Sequence, residues 1–334
     1  MKIKNVLVTG GAGYVGAVLI PKLLNAGYLV TVFDTYWYGD VLSGITDQSR
    51  LTQIKADLRD YMAIKQALGG IEAVIHLACI SNDPSFELNP NLGKSINFDA
   101  TVQLFDLAQK AGVRRFIYAS TSSVYGIKKE PEVTEELTLE PLTDYSKYKA
   151  LSEPLLLEKS SSNFITLVIR PATVCGYSPR LRLDLTVNIL TLHALVNKQI
   201  TLFGGSQLRP NIHIEDITDL YVKSLEYSDQ KINGKIFNAG YENHSLREIA
   251  MLVKKTLADP GIIIITKPTR DLRSYKISSA KIKKELGFVP THTIADAISD
   301  LYSAFRTDKI PNALTGDRYY NIRMMKKIAE KYLS

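Results

Sequence analysis

The chain has 334 residues, 45% of them hydrophobic and 22% charged, with a formal net charge of +7 at pH 7. That length suits one large domain or up to two ordinary ones with a well-buried core, and the composition excludes a disordered chain. The basic excess reads as a solvated lysine-rich surface that would draw in an anionic small substrate, while no basic stretch interleaved with aromatics marks a nucleic-acid module.

In chain order, "NVLVTG" reads as a buried strand, followed by a glycine-rich turn and the apolar helix "VGAVLIPKLLNAG". "LVTVFD" and "TQIKAD" are the second and third strands, and "YMAIKQAL" is helical. "AVIHLA" is a fourth strand, a helix covers 91–111, and "RFIYAS" is a fifth strand. A helix over 143–159 then leads into "FITLVIRP". Strands alternating with helices predict a doubly wound parallel sheet of Rossmann type, covered on both faces. After residue 171 the alternation loosens. Residues 1–171 are expected to form a dinucleotide-binding domain and 172–334 mainly a smaller substrate-binding lobe. The two should interweave, because a strand at 236–238 can return to the main sheet.

The longest apolar runs, "AVIHLACI" and "GIIIIT", are far shorter than the roughly 20 residues that span a bilayer. Cys79 and Cys175 sit in apolar stretches with no metal-type partner nearby, so reduced structural thiols and no metal site are expected. With no secretory leader before the first strand, a cytoplasmic location is expected.

"VLVTGGAGYVGAVL" fits two glycine patterns, one using Gly11, Gly13 and Gly16 and the other Gly10, Gly13 and Gly16. Both imply a tight turn, a close backbone approach to a pyrophosphate and close helix–strand packing. The pyrophosphate would meet N–H groups at the positive end of the helix. Asp34 ends the second strand at the spacing where a carboxylate reads the adenosine ribose. It would accept hydrogen bonds from the hydroxyls and repel a 2′-phosphate, which favours NAD over NADP.

In "TDYSKYKALSE", Thr143 or Asp144 can cap a helix on which Tyr145 and Lys149 share one face. Lys147 and Tyr148 point elsewhere. A free phenol titrates near pH 10. The Lys149 ammonium and a positive nicotinamide should lower that value, making Tyr145 a proton acceptor. Pro154 should kink or end the helix. The hydroxyl-rich "YASTSSVYG" places Thr121 and its serine neighbours at the carboxyl edge of the sheet, where open α/β folds bind ligands.

With "TGGAGYVG", "ADLRD", "HLACISNDPS", "SINFDAT", "ASTSSVYG", "YSKYK", "RPATVCGYSPR", "RPNIHIEDITD" and "FNAGYENHSLREIA" in this order, the chain resembles the extended short-chain dehydrogenases/reductases. The resemblance is to their NAD-dependent epimerase/dehydratase branch, which acts on nucleotide sugars, and it runs nearly end to end. It implies that Tyr145 is the catalytic base, that Lys149 is its partner and holds the nicotinamide ribose, and that Thr121 bonds the reacting hydroxyl. Gly10, Gly13, Tyr14, Val15 and Gly16 would cradle the cofactor, Asp57 and Leu58 would flank adenine, and Leu77 and Ala78 would line its path. Asn97 would support the site from the next helix. Ser122, Asn188, Arg209 and either Arg270 or Arg273 would serve the substrate, the arginines through its diphosphate.

Ser122 and Ser123 stand where 4,6-dehydratases carry Asp and Glu, which disfavours dehydration. Cys175 stands where the family commonly has Tyr. The resemblance therefore implies 4-epimerisation of a nucleotide sugar through a transient 4-keto sugar, with bound NAD recycled. A nucleotide-sugar dehydrogenase or 4-keto-sugar reductase would use the same residues. A 4,6-dehydratase, a uronate decarboxylase or a non-catalytic NAD-binding protein is a weaker reading. A homodimer through the helices near 94–111 and 143–159 would form a four-helix bundle, although the same apolar stripes could simply pack on the sheet.

Overall fold

The structure is a computed structural model and describes residues 3–269 and 274–333. Its strands are β1 (Asn5–Thr9), β2 (Leu29–Asp34), β3 (Leu51–Lys55), β4 (Ala73–His76), β5 (Arg115–Ala119) and β6 (Ile165–Pro171). They continue with β7 (Thr173–Cys175), β8 (Gln199–Phe203), β9 (Leu208–His213), β10 (Lys235–Ala239), β11 (Glu242–Ser245) and β12 (Ile263–Lys267).

Seven strands form one parallel sheet in the order β10-β6-β5-β4-β1-β2-β3. Its central strands are apolar on both faces, as a sheet covered on both sides requires. Val6, Val8, Ile75, Ile117 and Leu167 pack on one side with Leu19, Ile20, Ile217 and Leu220. Their neighbours Leu7, Val74, Phe116 and Val168 pack on the other with Ile64, Leu104, Phe105 and Leu156. The two-residue period of a strand thus builds two cores from one sheet. β10 pairs with β6, so the second half of the chain supplies an edge of the main sheet. The remaining strands form a three-stranded sheet, β11-β9-β7, and a parallel pair, β12-β8.

Two helices differ from their sequence expectation. The stretch 91–111 is an α-turn (Pro90–Lys94), a π-helical segment (Ser95–Ala100) and an α-helix (Thr101–Lys110). Thr101 Oγ1 donates to the carbonyl of Ile96, five residues back (3.1 Å), and lies 3.0 Å from His76 Nε2. A 3.6-residue pattern does not reveal such a wide turn, which is common near functional sites. The second helix, Asp144–Leu157, does not end at Pro154 but continues around it. The missing N–H costs one backbone bond, and buried Leu156 beyond it keeps the last turn packed.

The C-terminal helix, Asn321–Leu333, lays Met325 and Ile328 against Ile80, Phe86, Leu92 and Ile96. Tyr145, Tyr148 and Trp37 pack on the same cluster. Among the described residues, no helix is long and apolar enough to cross a membrane.

Candidate active site

A cavity of about 430 Å³ opens at the carboxyl ends of the main-sheet strands. Gly10, Asp34, Leu77, Ala119 and Pro171, each at or just beyond a strand end, all line it. This is where a doubly wound sheet binds ligands.

Gly10, Gly13, Tyr14, Val15 and Gly16 reach this cavity. Gly11 lies beneath them, since a Cβ there would press 2.9 Å from the methyls of Val32. The loop therefore follows the Gly10, Gly13 and Gly16 pattern. Gly10 has φ +76°, and a Cβ on it would lie 2.6 Å from the Ala78 nitrogen. A Cβ on Gly16 would meet the Gly11 carbonyl oxygen at 2.3 Å. The helix Gly16–Asn25 has no side-chain N-cap.

Asp34 accepts hydrogen bonds from the backbone N–H groups of Ala12 (3.0 Å) and Tyr36 (2.8 Å). Burial pushes its carboxyl above the usual range despite these two donors. Asp57, Leu58, Leu77 and Ala78 line the cavity. Asp57 is paired with Arg59 through Nε (2.9 Å) and Nη2 (2.7 Å).

Thr143 caps the Asp144–Leu157 helix, and Ser146 returns the bond in a capping box. Tyr145 and Lys149, one turn apart on that helix, both face the cavity. Lys149 is 2% exposed. Its ammonium donates to the Ala119 carbonyl (2.7 Å) and lies 4.8 Å from the centre of the Tyr118 ring. Burial lowers its pKa, and the nearby Cys79 and Glu153 oppose that.

Tyr145 and Thr121 line the same cavity, and Thr121 acts to lower the phenol's pKa. Contrary to expectation, the Tyr145 phenol titrates well above its ordinary value. Burial is the main cause. Thr121 Oγ1 lies 3.0 Å from Ser123 Oγ, and Ser122 Oγ lies 3.3 Å from the Tyr275 hydroxyl.

Two amides expected at the site do not reach the cavity. Asn97 grips Ile80, accepting from its N–H (2.8 Å) and donating to its carbonyl (2.9 Å). Asn188 is fully buried, accepts from Gly176 N–H (3.1 Å), and donates to Tyr14 Oη (3.1 Å) and to the Arg182 carbonyl (2.9 Å). Its amide is spent inside the protein. Arg209 lines the cavity, whereas Arg270 and Arg273 lie outside the described residues.

A family model described as "NAD dependent epimerase/dehydratase family" matches residues 6–240. The chain belongs to this family. It is similar to a UDP-glucose 4-epimerase of Corynebacterium glutamicum, with 27% identity over 86% of this chain and 91% of that one. It is equally similar to a dTDP-glucose 4,6-dehydratase of Streptomyces griseus, with 27% identity over 88% and 92%. Among solved structures, the UDP-glucuronic acid 4-epimerase of Bacillus cereus, in complex with UDP-glucuronic acid and NAD, matches with a TM-score of 0.79 and 27% identity. That match covers 91% of this chain and 99% of the other.

As a member of the epimerase/dehydratase family the protein is an NAD-dependent enzyme. The site fits that cofactor: the two close backbone approaches of the glycine loop exclude any side chain from the cradle, and an uncapped helix N-terminus offers N–H groups to a diphosphate.

The sequence reading missed Arg180, Arg182 and Tyr275, which also line the cavity. Arg182 is paired with Asp184 (Nε–Oδ1 2.9 Å). A signal was present in "PRLRLDL", where charged residues alternate with Leu181 and Leu183, both buried. Here the leucines turn inward and the arginines line the cavity. Among the described residues, no cluster of metal-ligating side chains occurs.

Proposed function

We propose that the protein is a nucleotide-sugar 4-epimerase. The observation that carries this reading is the convergence of Tyr145, Lys149 and Thr121 on one cavity at the carboxyl edge of the sheet. NAD, when bound, supplies reversible hydride acceptance at C4, so that a hydroxyl there can pass through a ketone and return inverted. The chain's part is to move a proton and to hold two ligands. Thr121 orients the sugar hydroxyl toward Tyr145, which takes its proton. Lys149 holds the nicotinamide ribose while anchored on Ala119. Asp34 accepts from the adenosine ribose, Asp57 and Leu58 border adenine, and Arg209 meets the substrate diphosphate. Ser122 and Ser123 bring hydroxyls near the sugar in place of the carboxyls that remove water in dehydratases. Both 4-epimerase relatives support the choice of reaction.

The test is to incubate the protein with UDP-, dTDP-, GDP- and CDP-hexoses and uronic acids and follow ring stereochemistry by NMR. Inversion at C4 without net cofactor reduction is expected. Stoichiometric accumulation of NADH would instead make it a dehydrogenase.

Two further outcomes follow from the site. Asp34→Ala removes the ribose acceptor and the repulsion of a 2′-phosphate. Binding of NAD should fall about tenfold or more, since hydrogen bonds to a charged group contribute roughly 1.5–3 kcal/mol, while NADP loses less. Equal losses in a titration of both cofactors would count against the contact. The second concerns pH. A base whose pKa is raised is mostly protonated at neutrality, and the active phenolate grows as pH rises. The pH profile of kcat/KM should therefore climb with pH on its acid limb, about tenfold per unit below the controlling pKa. A profile falling from pH 6 to 9 would remove Tyr145 as the base.

A further inference from the structure

The loop that follows β7 is docked on the glycine loop. The Tyr14 hydroxyl donates to the Gly176 carbonyl (2.7 Å), and Ser178 Oγ donates to the Tyr14 carbonyl (2.7 Å). Two residues later Arg180 enters the cavity, only 4% exposed. Its guanidinium carbon lies 3.6 Å from the centre of the Tyr38 ring, in the segment just beyond Asp34.

Nη2 of Arg180 donates to Asn321 Oδ1. Nε and Nη1 are buried and have no partner among the described residues. Nε carries one N–H and Nη1 two, so most of the guanidinium's donor set is unspent. A buried cation with unused donors is unfavourable by itself. The nearby carboxylate of Asp184 is hydrogen-bonded to Arg182 and acts on Arg180 only through space, which leaves Nε and Nη1 with their donors unused.

We propose that Arg180 is an anion-binding residue set over the glycine loop, where it takes the diphosphate of the dinucleotide, and that Asn321 holds its guanidinium in place. This rests on the NAD-dependent reading given above. The anion is assigned to the cofactor because the loop that carries Arg180 is tied to Tyr14 through Gly176 and Ser178, and its guanidinium lies on Tyr38, on the glycine-loop side. The residues given to the sugar nucleotide, Thr121, Ser122 and Arg209, come from other strand ends. Asn321 is the first residue of the C-terminal helix. Its Nδ2 donates to Ser81 Oγ (2.8 Å), and its backbone N–H donates to Asp184 (3.2 Å). The helix that begins at Asn321 thereby becomes a clasp on cofactor retention, and Asn321 is a positioning residue.

The experiment is calorimetric titration of the NAD-stripped full-length protein with NAD, ADP-ribose, adenosine and UDP, comparing wild type with Arg180→Met, Arg180→Lys and Asn321→Ala. A charge-assisted contact predicts about tenfold to a hundredfold weaker NAD and ADP-ribose for Arg180→Met, with adenosine and UDP unchanged. Arg180→Lys should lose less, and Asn321→Ala should weaken ADP-ribose but not adenosine. Unchanged NAD and ADP-ribose affinities in Arg180→Met would overturn the proposal while leaving the epimerase reading intact. So would a loss confined to UDP, which would place the anion on the sugar nucleotide, or an equal loss of adenosine, which would mean a packing role. A wild-type protein that binds no NAD would sink both readings.

Discussion

Tyr145→Phe is expected to abolish turnover while leaving NAD binding nearly unchanged. The substitution removes one oxygen from a largely buried ring and keeps its packing against the Ile80, Phe86 and Ile96 cluster. What is lost is the acceptor for the sugar hydroxyl's proton. General base catalysis contributes about 10²–10⁴-fold, and Thr121 is a poor substitute because a neutral hydroxyl hardly accepts a proton near pH 7. Turnover by NMR should fall by that factor or more, with NAD affinity within about twofold by titration, since Lys149 and the glycine loop are untouched. A variant that still epimerises at the wild-type rate would refute the role given to Tyr145. One that also loses NAD would show that the phenol is a structural part of the cofactor site.

How much of this was visible in the sequence depends on distance along the chain. Gly10, Gly13 and Gly16 with Asp34, and Tyr145 with Lys149, are local patterns: a strand–turn–helix and a single helical turn carry them to one cavity whatever the rest does. Which glycine pattern applies needed the sheet, because only packing against Val32 shows that Gly11 points inward. The amides of Asn97 and Asn188 had to be judged by tertiary partners: Asn97 is committed to the backbone of Ile80, and Asn188 to backbone groups and the Tyr14 hydroxyl. The phenol's direction of shift was misjudged for a related reason. Burial dominates it, and that burial comes from the cluster of Ile80, Phe86, Ile96 and Met325, far apart in the chain, not from helical spacing. Arg180 and Asn321 are 141 residues apart, so nothing local announces that they meet. The π-turn at Ser95–Ala100 is equally silent, since inserting a wide turn leaves the apolar pattern on either side intact.

The helix that carries Tyr145 and Lys149 has a third residue on the same stripe, Glu153, and its loss is expected to have the largest effect on stability. Glu153 is 1% exposed. It accepts from Arg170 Nε (3.0 Å) and Nη2 and from Ser120 Oγ. Arg170 in turn donates to the Tyr125 hydroxyl (2.7 Å), which donates to Asn238 (2.7 Å). The network spans β5, β6, β10 and the helix, and the pair holds the Arg170 proton more tightly than in a free guanidinium. Glu153→Ala leaves that guanidinium buried without its counter-charge, which should destabilise the protein by about 3–5 kcal/mol. Replacing both partners, as in Glu153→Met with Arg170→Met, should recover much of this, because the unpaired charge rather than the lost pair is the dominant penalty. Denaturant unfolding of the single and double variants measures the difference. The effect should also reach the chemistry. Ala119 and Ser120 at the end of β5 are gripped by Lys149 and Glu153 respectively, one turn apart. Releasing Ser120 loosens the strand end that fixes the ammonium, so residual activity in Glu153→Ala should fall even at temperatures where the protein stays folded. If the single variant unfolds at the wild-type denaturant concentration, the buried pair is not what locks this helix to the sheet.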